Sequence, residues 1–297
     1  MAADAAVTVR ARAKLNLTLH VTGRRDDGYH ELDSLVAFAE VADQLSFTPT
    51  DDLSLEISGP FAGALADVAD DDNLVLRAAG RLAEALERAP TGRIHLEKYL
   101  PVAAGIGGGS ADAAATLIGL ARLWGEDVPP DLLMPLGLGL GADVPVCLRG
   151  RPAQMRGIGE VLDDAPALPA ADLVLVNPGV QLATPDVFAA RTGRFSSPIE
   201  FERAPESAIT FAGALGRGRN DLEYPACTLA PVIKDALAAL EDSSGCLLAR
   251  MSGSGATCFG VFMDDEAAAA ATVAIKSDHA DWWVALTQLA ETQLDQT

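Results

Sequence analysis

The sequence lacks the features that would place a protein in a membrane or on a polyanion. Its 297 residues contain no run of about 18 apolar residues, the length that spans a bilayer. The segment 1–14 has no apolar core of the kind found in signal peptides. A formal net charge of −20 at pH 7 disfavours contact with nucleic acids and anionic lipids. We therefore expect a cytoplasmic protein that binds neither membranes nor nucleic acids.

Cysteine is scarce, and its spacing suggests no joint role. The four cysteines lie far apart and form neither a CxxC pair nor a Cys/His cluster; they are Cys147, Cys227, Cys246 and Cys258. This pattern predicts free thiols rather than a disulfide framework or a zinc site.

Lysine is also scarce, since only four of the 22 basic residues are lysines, at positions 14, 98, 234 and 276. Basic residues are concentrated in the first 25 positions, where Asp4 is the only acid; they are Arg10, Arg12, Lys14, Arg24 and Arg25. In a strongly acidic protein such a cluster is a candidate site for an anionic ligand. The alternative is a solvated strand edge and turn.

Alternating and helical patterns of apolar residues divide the chain into strands and helices. Strands are predicted at 7–23, 42–49, 53–59, 92–100, 144–148, 153–160, 172–179 and 282–289. Helices are predicted at 70–89, 110–124, 131–142, 229–242 and in the alanine-rich segment before 282. This mixture predicts an α+β protein with two domains, 1–158 and 159–297.

A glycine-rich segment, PVAAGIGGGSA at 101–111, joins a predicted strand to a predicted helix. Backbone N–H groups without a neighbouring Cβ can point into one concavity, and a helix that begins there adds its own unpaired N–H groups. Such a loop is suited to a di- or triphosphate. A tight turn alone would need only one or two of the four glycines at 105, 107, 108 and 109.

Several other phosphate loops do not fit this segment. A dinucleotide fingerprint requires an acidic residue at the end of the next strand, about 20 residues on, whereas WGEDVPPD at 124–131 follows the predicted helix. A Walker loop requires a lysine at the helix start, and no lysine lies between Lys98 and Lys234. The sequence also lacks the HRD and DFG triplets of protein kinases.

Four motifs in order carry a family resemblance. They are AKLNLTLHVTGRRDDGYHEL at 13–32, PVAAGIGGGSA at 101–111, LGADVPV at 140–146 and MSGSGA at 251–256. Together they resemble the GHMP kinase superfamily, and the GGGS form of the loop is similar to that of members acting on 4-diphosphocytidyl-2-C-methyl-D-erythritol. The resemblance spans nearly the whole chain.

This resemblance implies a two-lobed α+β fold, with an N-terminal lobe like domain 2 of ribosomal protein S5 and a ferredoxin-like C-terminal lobe. It implies ATP-dependent phosphorylation of the 2-hydroxyl of that cytidylyl substrate, giving the 2-phosphate and ADP, in the non-mevalonate route to isoprenoid precursors. Mg²⁺ is expected because ATP reacts as its magnesium complex. Two alternatives stay open: a kinase for another small alcohol (a sugar, mevalonate or homoserine), and a non-catalytic nucleotide-binding regulator.

The resemblance also implies catalytic roles for Asp143 and Lys14. A carboxylate at 143 could accept the proton of the hydroxyl, and an ammonium at 14 could keep it ionised and stabilise charge in the transition state. Without the motif, Asp143 would be read as a turn or cap residue. Lys14, in mid-strand between Ala13 and Leu15, would be read as an exposed lysine on the strand face.

Asn16, Tyr29 and His30 match positions that contact the cytidylyl substrate in the family. Alternation along a strand places Lys14 and Asn16 on the same face. An aromatic ring at Tyr29 or His30 suits stacking on cytosine. The alternative for DGYH at 27–30 is a surface turn.

Two loops are expected to surround the phosphates of ATP. The resemblance implies contacts from the first loop, whose residues are Pro101, Val102, Ala103, Ala104, Gly105, Ile106, Gly107, Gly108, Gly109, Ser110 and Ala111. Ser110 could contact phosphate or magnesium, or could serve only as a helix N-cap. The second loop either closes over the phosphates or packs against the first; it comprises Ser252, Gly253, Ser254 and Gly255.

The first loop departs from the family pattern at three alanines. Ala103 and Ala104 stand where many relatives have glycine, and Ala111 replaces the second serine of the usual pair. The backbone cradle survives if these residues keep a negative φ. The hydroxyl at 111 is lost, and no acidic residue is assigned as a metal ligand.

Overall fold

The computed structural model describes residues 6–201, 203–290 and 294–296. The strands are β1 (Val7–Asn16), β2 (His20–Arg24), β3 (His30–Thr48), β4 (Leu53–Ser58), β5 (Gly92–Glu97), β6 (Ala153–Gly157), β7 (Val161–Asp164), β8 (Asp172–Asn177), β9 (Cys246–Met251), β10 (Cys258–Phe262), β11 (Trp283–Ala290) and β12 (Leu294–Gln296). The α-helices are α1 (Leu74–Ala85), α2 (Gly108–Leu123), α3 (Pro130–Leu140), α4 (Val144–Arg149), α5 (Thr184–Ala190), α6 (Ala208–Leu215), α7 (Glu223–Leu229), α8 (Val232–Glu241) and α9 (Asp265–Asp278). The α+β class predicted from the sequence is confirmed.

Strand β3 pairs with five other strands of the sheet. Its 19 residues pair antiparallel with β1, β2, β5, β6 and β11. The pairing with β1 shifts register, so that Arg12 lies opposite Ala42 whereas Lys14 lies opposite Phe38. Such irregular pairing bends a strand locally and is frequent beside active sites. Here it occurs at a predicted catalytic residue.

Helices cover the sheet and enclose its apolar cores. In the first half of the chain, α1 and α2 bury Leu82 and Leu117 with Phe38 and Phe47 of β3. In the second half, α8 and α9 pack against β8 and β10 around a separate cluster that includes Ile233. Full burial of each large apolar side chain contributes about 1.5–3 kcal/mol, so these clusters hold the layers together.

The sheet continues from one half of the chain into the other. Strand β11 pairs with β8 through Trp283 to Gln288 and then with β3 through Leu289 and Ala290. A third apolar cluster, with Leu15, Leu175 and Phe259, lies between the two halves. The predicted domain boundary at 158/159 falls in the turn between β6 and β7, and it stays a prediction.

The segment VPVCL, predicted as a strand, is helical in the structure. Residues Val144–Arg149 form α4, which packs against α2 and α3. A short apolar run fits a buried helical turn as well as a buried strand, and Pro145 is tolerated in the first helical turn because its missing N–H would be unpaired there. Asp143 therefore precedes a helix rather than a strand.

Most other local predictions are confirmed with shifted ends. Segment 7–23 forms β1 and β2 with a break between them. Helix α1 begins after Asn73, whose side chain accepts a hydrogen bond from the N–H of Val75. Helix α2 begins at Gly108, two residues before the predicted start. Within the described ranges, no helix is long and apolar enough to cross a bilayer.

Candidate active site

A cavity of about 1080 Å³ brings most of the predicted site residues together. Its walls come from β1, the glycine-rich loop, the starts of α1, α4 and α5, and the loop between β9 and β10. Lys14, Asn16, Tyr29, His30 and Asp143 all line it. Segments from both halves of the chain thus contribute to one site.

Lys14 and Asp143 form an ion pair at this cavity. The Nζ of Lys14 lies 2.9 Å from Oδ2 of Asp143 and donates a hydrogen bond of 2.7 Å to Oδ1 of Asn16. Lys14 is 3% exposed, so it is not the exposed strand lysine of the alternative interpretation, whereas the Asp143 side chain is 33% exposed. The Asp143 side chain caps no N–H of α4. An accessible carboxylate and a buried ammonium therefore face each other beside the loop.

Gly107 allows Lys14 to lie against the glycine-rich loop. The N–H of Lys14 donates to the carbonyl of Ile106 at 2.9 Å. A Cβ at position 107 would lie 3.0 Å from Cε and 3.1 Å from Cβ of Lys14, and the φ of Gly107 is +62°. Both the limited space and the left-handed conformation therefore favour glycine.

The glycine-rich loop turns repeatedly through left-handed conformations before α2. Ala103, Gly105 and Gly107 have φ of +53°, +74° and +62°. The condition of a negative φ is therefore not met at Ala103. The first N–H groups of α2 have no partner within the helix and carry the positive end of its dipole, so this end of the cavity suits an anion.

The predicted ATP-binding residues differ in their access to the cavity. Ser110 lines it from the third position of α2, so it is not the N-cap, which is Gly107. Ile106 and Ala111 are fully buried, and the N–H of Ala111 donates to the carbonyl of Gly107. The lining residues of this segment are Pro101, Val102, Ala103, Ala104, Gly105, Gly107, Gly108, Gly109 and Ser110.

The second glycine loop packs directly against the first. Ser252 Oγ donates to the carbonyl of Gly105 at 3.0 Å and accepts from the N–H of Asn16 at 3.0 Å. A Cβ at Gly105 would collide with the backbone of Ser252 and Gly255. From the other side of this loop, Ser254 lines the cavity and its Oγ lies 2.9 Å from the hydroxyl of Thr184.

A buried charged cluster beneath the loop was not predicted. Nζ of Lys98 lies 2.5 Å from Oδ2 of Asp43 and 2.6 Å from Oδ2 of Asp112. The other oxygen of Asp43 accepts from the N–H groups of Tyr99 and Leu100. The cluster joins β3, the residue that follows β5 and the fifth residue of α2. Lys98 is one of only four lysines and lies three residues before the start of the loop, which is the signal that could have identified it.

The pKa values in this cluster follow from burial and charge together. Burial raises the pKa of Asp112 to about 7; Lys98 opposes this shift and Asp43 adds to it. Burial by itself would lower the pKa of Lys98, but the two neighbouring carboxylates raise it. Lys98 therefore stays charged.

Aromatic rings from distant parts of the chain meet at another part of the cavity. The rings of His30 and Phe188 stack with centroids 5.0 Å apart and planes at 21°. Tyr29 also lines the cavity and is 62% exposed. Burial, then the nearby charges of Arg24 and Arg191, lower the pKa of His30. Phe188 was missed because no local pattern links α5 to β3.

The basic cluster near the start of the chain is divided in the structure. Arg12 donates to Oε2 of Glu40, and Arg10 donates to the Glu40 carbonyl. Lys14 and Arg24 line the cavity. Only part of the cluster is therefore placed to meet an anionic ligand.

The described side chains include no metal-binding cluster and no disulfide. Among residues 6–201 and 203–290, no group of three or more His, Cys, Asp or Glu could hold a metal ion. The cysteines are free thiols, as predicted. Burial, with Asp143 nearby, raises the pKa of Cys147, which keeps this thiol protonated.

Two family models and several known proteins match the chain. The models are the GHMP kinases N-terminal domain, over residues 73–151, and the GHMP kinases C-terminal domain, over residues 209–281. The chain is 54% identical over 282 residues to 4-diphosphocytidyl-2-C-methyl-D-erythritol kinase of Paramagnetospirillum magneticum, with 95% of this chain and 98% of the relative covered. It is 52% identical over 288 residues to the enzyme of the same name from Rhodospirillum rubrum, with 97% and 94% covered.

Solved structures match as well. A crystal structure of 4-(cytidine 5'-diphospho)-2C-methyl-D-erythritol kinase superposes with a TM-score of 0.78 at 36% identity, covering 95% of this chain and 99% of the other. A homoserine kinase from Cytophaga hutchinsonii superposes with a TM-score of 0.74 at 19% identity, covering 100% and 99%. The second likeness shows the fold alone.

Proposed function

This chain belongs to the GHMP kinases, in their 4-diphosphocytidyl-2-C-methyl-D-erythritol kinase family, and we propose that Lys14 and Asp143 perform its phosphoryl transfer. The protein phosphorylates 4-diphosphocytidyl-2-C-methyl-D-erythritol with ATP in isoprenoid precursor biosynthesis. The ion pair of 2.9 Å beside the glycine-rich loop is the observation that carries the residue assignment.

The proposed step breaks and forms one bond at phosphorus. Asp143 accepts the proton of the 2-hydroxyl, the oxygen bonds to the γ-phosphorus, and the bond to the β-phosphate oxygen breaks to release ADP. The ammonium of Lys14 has three N–H groups, of which Asn16 and Asp143 each take one. The third is available to stabilise negative charge on the transferring phosphoryl oxygens.

We place the phosphates of ATP at the first loop and the start of α2. Its left-handed residues and the unpaired N–H groups of the first helical turn suit an anion. The buried Lys98 cluster supports this arrangement because it ties the start of α2 to β3. The second loop packs against the first at Gly105 and so holds the first loop in place.

We also propose that Mg²⁺ binds with ATP in this cavity, where a side-chain oxygen is available to it. Mg²⁺ commonly takes only one or two protein ligands and completes its shell with phosphate oxygens and water. The hydroxyl of Ser110 lines the cavity and is an oxygen donor of the kind it prefers. When bound, the ion would neutralise charge on the β- and γ-phosphates.

We assign the cytosine to the aromatic part of the cavity. The rings of Tyr29, His30 and Phe188 provide flat apolar surfaces there. Asn16 lines the same cavity and lies against Lys14, so it would lie near the reacting hydroxyl. We further propose a cytoplasmic location, where ATP is available.

Release of ADP on a panel of alcohols tests the function. Purified protein with magnesium and ATP is expected to release ADP with the cytidylyl substrate, and not with mevalonate, galactose or homoserine. Release with another alcohol would overturn the assignment of Tyr29 and His30. Nucleotide binding without turnover of any alcohol would indicate a regulator instead.

A further inference from the structure

A continuous line of polar contacts leads away from the proposed catalytic carboxylate. Asp143 Oδ2 lies 2.9 Å from Lys14 Nζ, and Nζ donates to Asn16 Oδ1 at 2.7 Å. Nδ2 of Asn16 donates to Ser34 Oγ at 2.8 Å, and Ser34 Oγ donates to the Thr18 carbonyl at 2.5 Å. The line therefore ends on the backbone.

The inner members of this line are closed to water. Lys14 and Asn16 are 3% and 1% exposed, and Ser34 and Thr18 are 0% exposed. A buried polar group without a partner costs about 1–3 kcal/mol. Each of these groups must therefore find its partner within the line, and changing one partner affects the next.

Counting protons determines which way round the Asn16 amide lies. An ammonium has donors and no acceptor, so the atom that faces Lys14 must be Oδ1 of Asn16. The NH₂ group then faces Ser34 Oγ. Because the single proton of Ser34 is committed to the Thr18 carbonyl, its oxygen can only accept from Asn16. In a reversed amide the NH₂ group would face the ammonium, with donor against donor. Oδ1 would then face Ser34 Oγ, whose only proton is already donated to the Thr18 carbonyl.

The backbone holds Ser34 in place. Ser34 lies in β3, and Val36 of the same strand pairs with Asn16. The adjacent N–H of Leu35 donates to Thr18 Oγ1 at 3.1 Å, and its carbonyl accepts from Leu17 N–H at 2.8 Å. The hydroxyl of Ser34 therefore has a fixed position relative to the amide it orients.

We propose that Ser34 is a positioning residue for phosphoryl transfer: its hydroxyl accepts from Nδ2 and fixes the position of the Asn16 amide, which holds the Lys14 ammonium against Asp143. Ser34 acts only through Asn16. The inference rests on the proposed roles of Lys14 and Asp143.

Removing the hydroxyl leaves Nδ2 of Asn16 without its acceptor in a buried site, so the amide shifts towards another partner and carries Oδ1 with it. The ammonium, which donates to Oδ1, then moves from its place beside Asp143. Misplacement of a catalytic group by about 1 Å can cost 100-fold in rate. For Ser34→Ala we expect kcat to fall roughly 10- to 100-fold, with the KM values for ATP and the cytidylyl substrate changed by less than about twofold.

Steady-state kinetics of matched variants test this expectation. Ser34→Thr keeps the hydroxyl and should recover most of kcat. Ser34→Cys has nearly the shape of serine, but its thiol accepts hydrogen bonds weakly, so it should lose kcat as alanine does. Ser46→Ala makes the same deletion farther along β3 and should leave kcat unchanged.

A double-mutant cycle separates positioning from general weakening of the fold. Because Ser34 acts through Asn16, adding Ser34→Ala to Asn16→Ala should cost no further kcat. Thermal unfolding of each variant confirms that the folded enzyme is compared. If alanine prevents folding, Ser34→Cys provides the same comparison.

The inference is overturned by normal kcat in a folded Ser34→Ala or Ser34→Cys enzyme, by a change confined to KM, or by additive losses in the cycle. It is also overturned if folded Ser34→Thr is no better than alanine. Its failure differs from failure of the proposed function, since Lys14→Met and Asp143→Asn would then still be inactive. Activity in those two variants would refute the roles of Lys14 and Asp143 themselves.

Discussion

Lys14 shows how the fold places one side chain for its proposed role in phosphoryl transfer. Its aliphatic part packs beside Gly107, and its ammonium meets Asp143 and Asn16. Guanidinium is planar and larger, whereas an ammonium is a compact charge with three donors. A compact donor group suits a site where the carboxylate, the amide and a phosphoryl oxygen must each receive one N–H.

Removal of either charged partner should abolish most turnover. We expect Asp143→Asn and Lys14→Met to lower kcat by at least roughly 100-fold, because general base catalysis and charge stabilisation are each worth about that much or more. Lys276→Met, at an exposed position on α9, is the matched control and should be fully active. ADP release and thermal unfolding are measured together; a folded variant with near-normal kcat would refute the role of its residue.

Gly107→Ala should impair the reaction through Lys14. The new Cβ would press on the lysine side chain at 3.0–3.1 Å and would hold alanine at a φ of +62°. Gly125→Ala provides the control, because Gly125 has a φ of +71° and a Cβ added there would have no neighbouring atom within 4 Å.

Both glycine substitutions should cost about 1–2 kcal/mol of unfolding free energy from the left-handed conformation. Only Gly107→Ala should also reduce kcat, by roughly tenfold or more. Denaturant unfolding and steady-state kinetics distinguish the two effects. Equal kcat in both variants would show that Lys14 does not depend on the space at position 107.

At the scale of elements, helix α2 is held near its start by buried charge. Asp112, the fifth residue of α2, shares Lys98 with Asp43 of β3, and all three side chains are almost fully buried. A buried ion pair adds little net stability, but loss of one partner is strongly destabilising. The cluster therefore fixes where the helix start lies relative to the sheet.

The raised pKa of Asp112 predicts a pH effect on stability. The pKa rises from 3.8 in the unfolded chain to about 7 in the folded protein, mainly through burial. Between these values the folded state binds more protons than the unfolded state, so this group lowers the stability as the pH rises through that window.

Asp112→Asn keeps an oxygen for Lys98 and cannot ionise. The unfolding free energy of Asp112→Asn minus that of the unchanged protein should therefore be larger at pH 8 than at pH 5. Only the unchanged protein loses stability through this group as the pH rises. Urea unfolding at both pH values measures this difference. A difference that is the same at both pH values would contradict the assignment.

At the scale of the whole molecule, both halves of the chain build one site. The first half supplies Lys14, Asp143 and the glycine-rich loop, and the second half supplies Phe188 and Ser254. Arg250 of β9 joins the halves by donating to the carbonyls of Leu17, Leu215 and Gly218. The continuous sheet and these contacts set the distance between the proposed phosphate and cytosine sites.

Phe188→Ala should weaken binding of the cytidylyl substrate alone. Loss of one ring against cytosine is expected to raise the KM for the cytidylyl substrate roughly 5- to 150-fold, since aromatic stacking on a base is worth about 1–3 kcal/mol. The KM for ATP should stay unchanged. Phe195→Ala, an exposed ring on the segment after α5, serves as the control. An equal rise in both KM values would indicate general damage to the site.

Local patterns were sufficient for several parts of this protein. Glycines in a strand-to-helix connection predicted a tightly turned loop at 101–111, and its left-handed residues are present in the structure, because left-handed backbone and close approach are local demands that glycine meets easily. Strand alternation predicted that Lys14 and Asn16 share a face, and they are hydrogen-bonded. Ordered motifs predicted the family, which the relatives confirm.

Tertiary structure decided what depends on partners far apart in the chain. Residues 144–149 became a helix because α2 and α3 bury them there, although the same apolar run would suit a strand. The contact of His30 with Phe188, the burial of Lys98 between two aspartates and the line from Lys14 to Ser34 all arise from sheet register and layer packing. No local periodicity specifies these, because each depends on which strands pair and which faces meet.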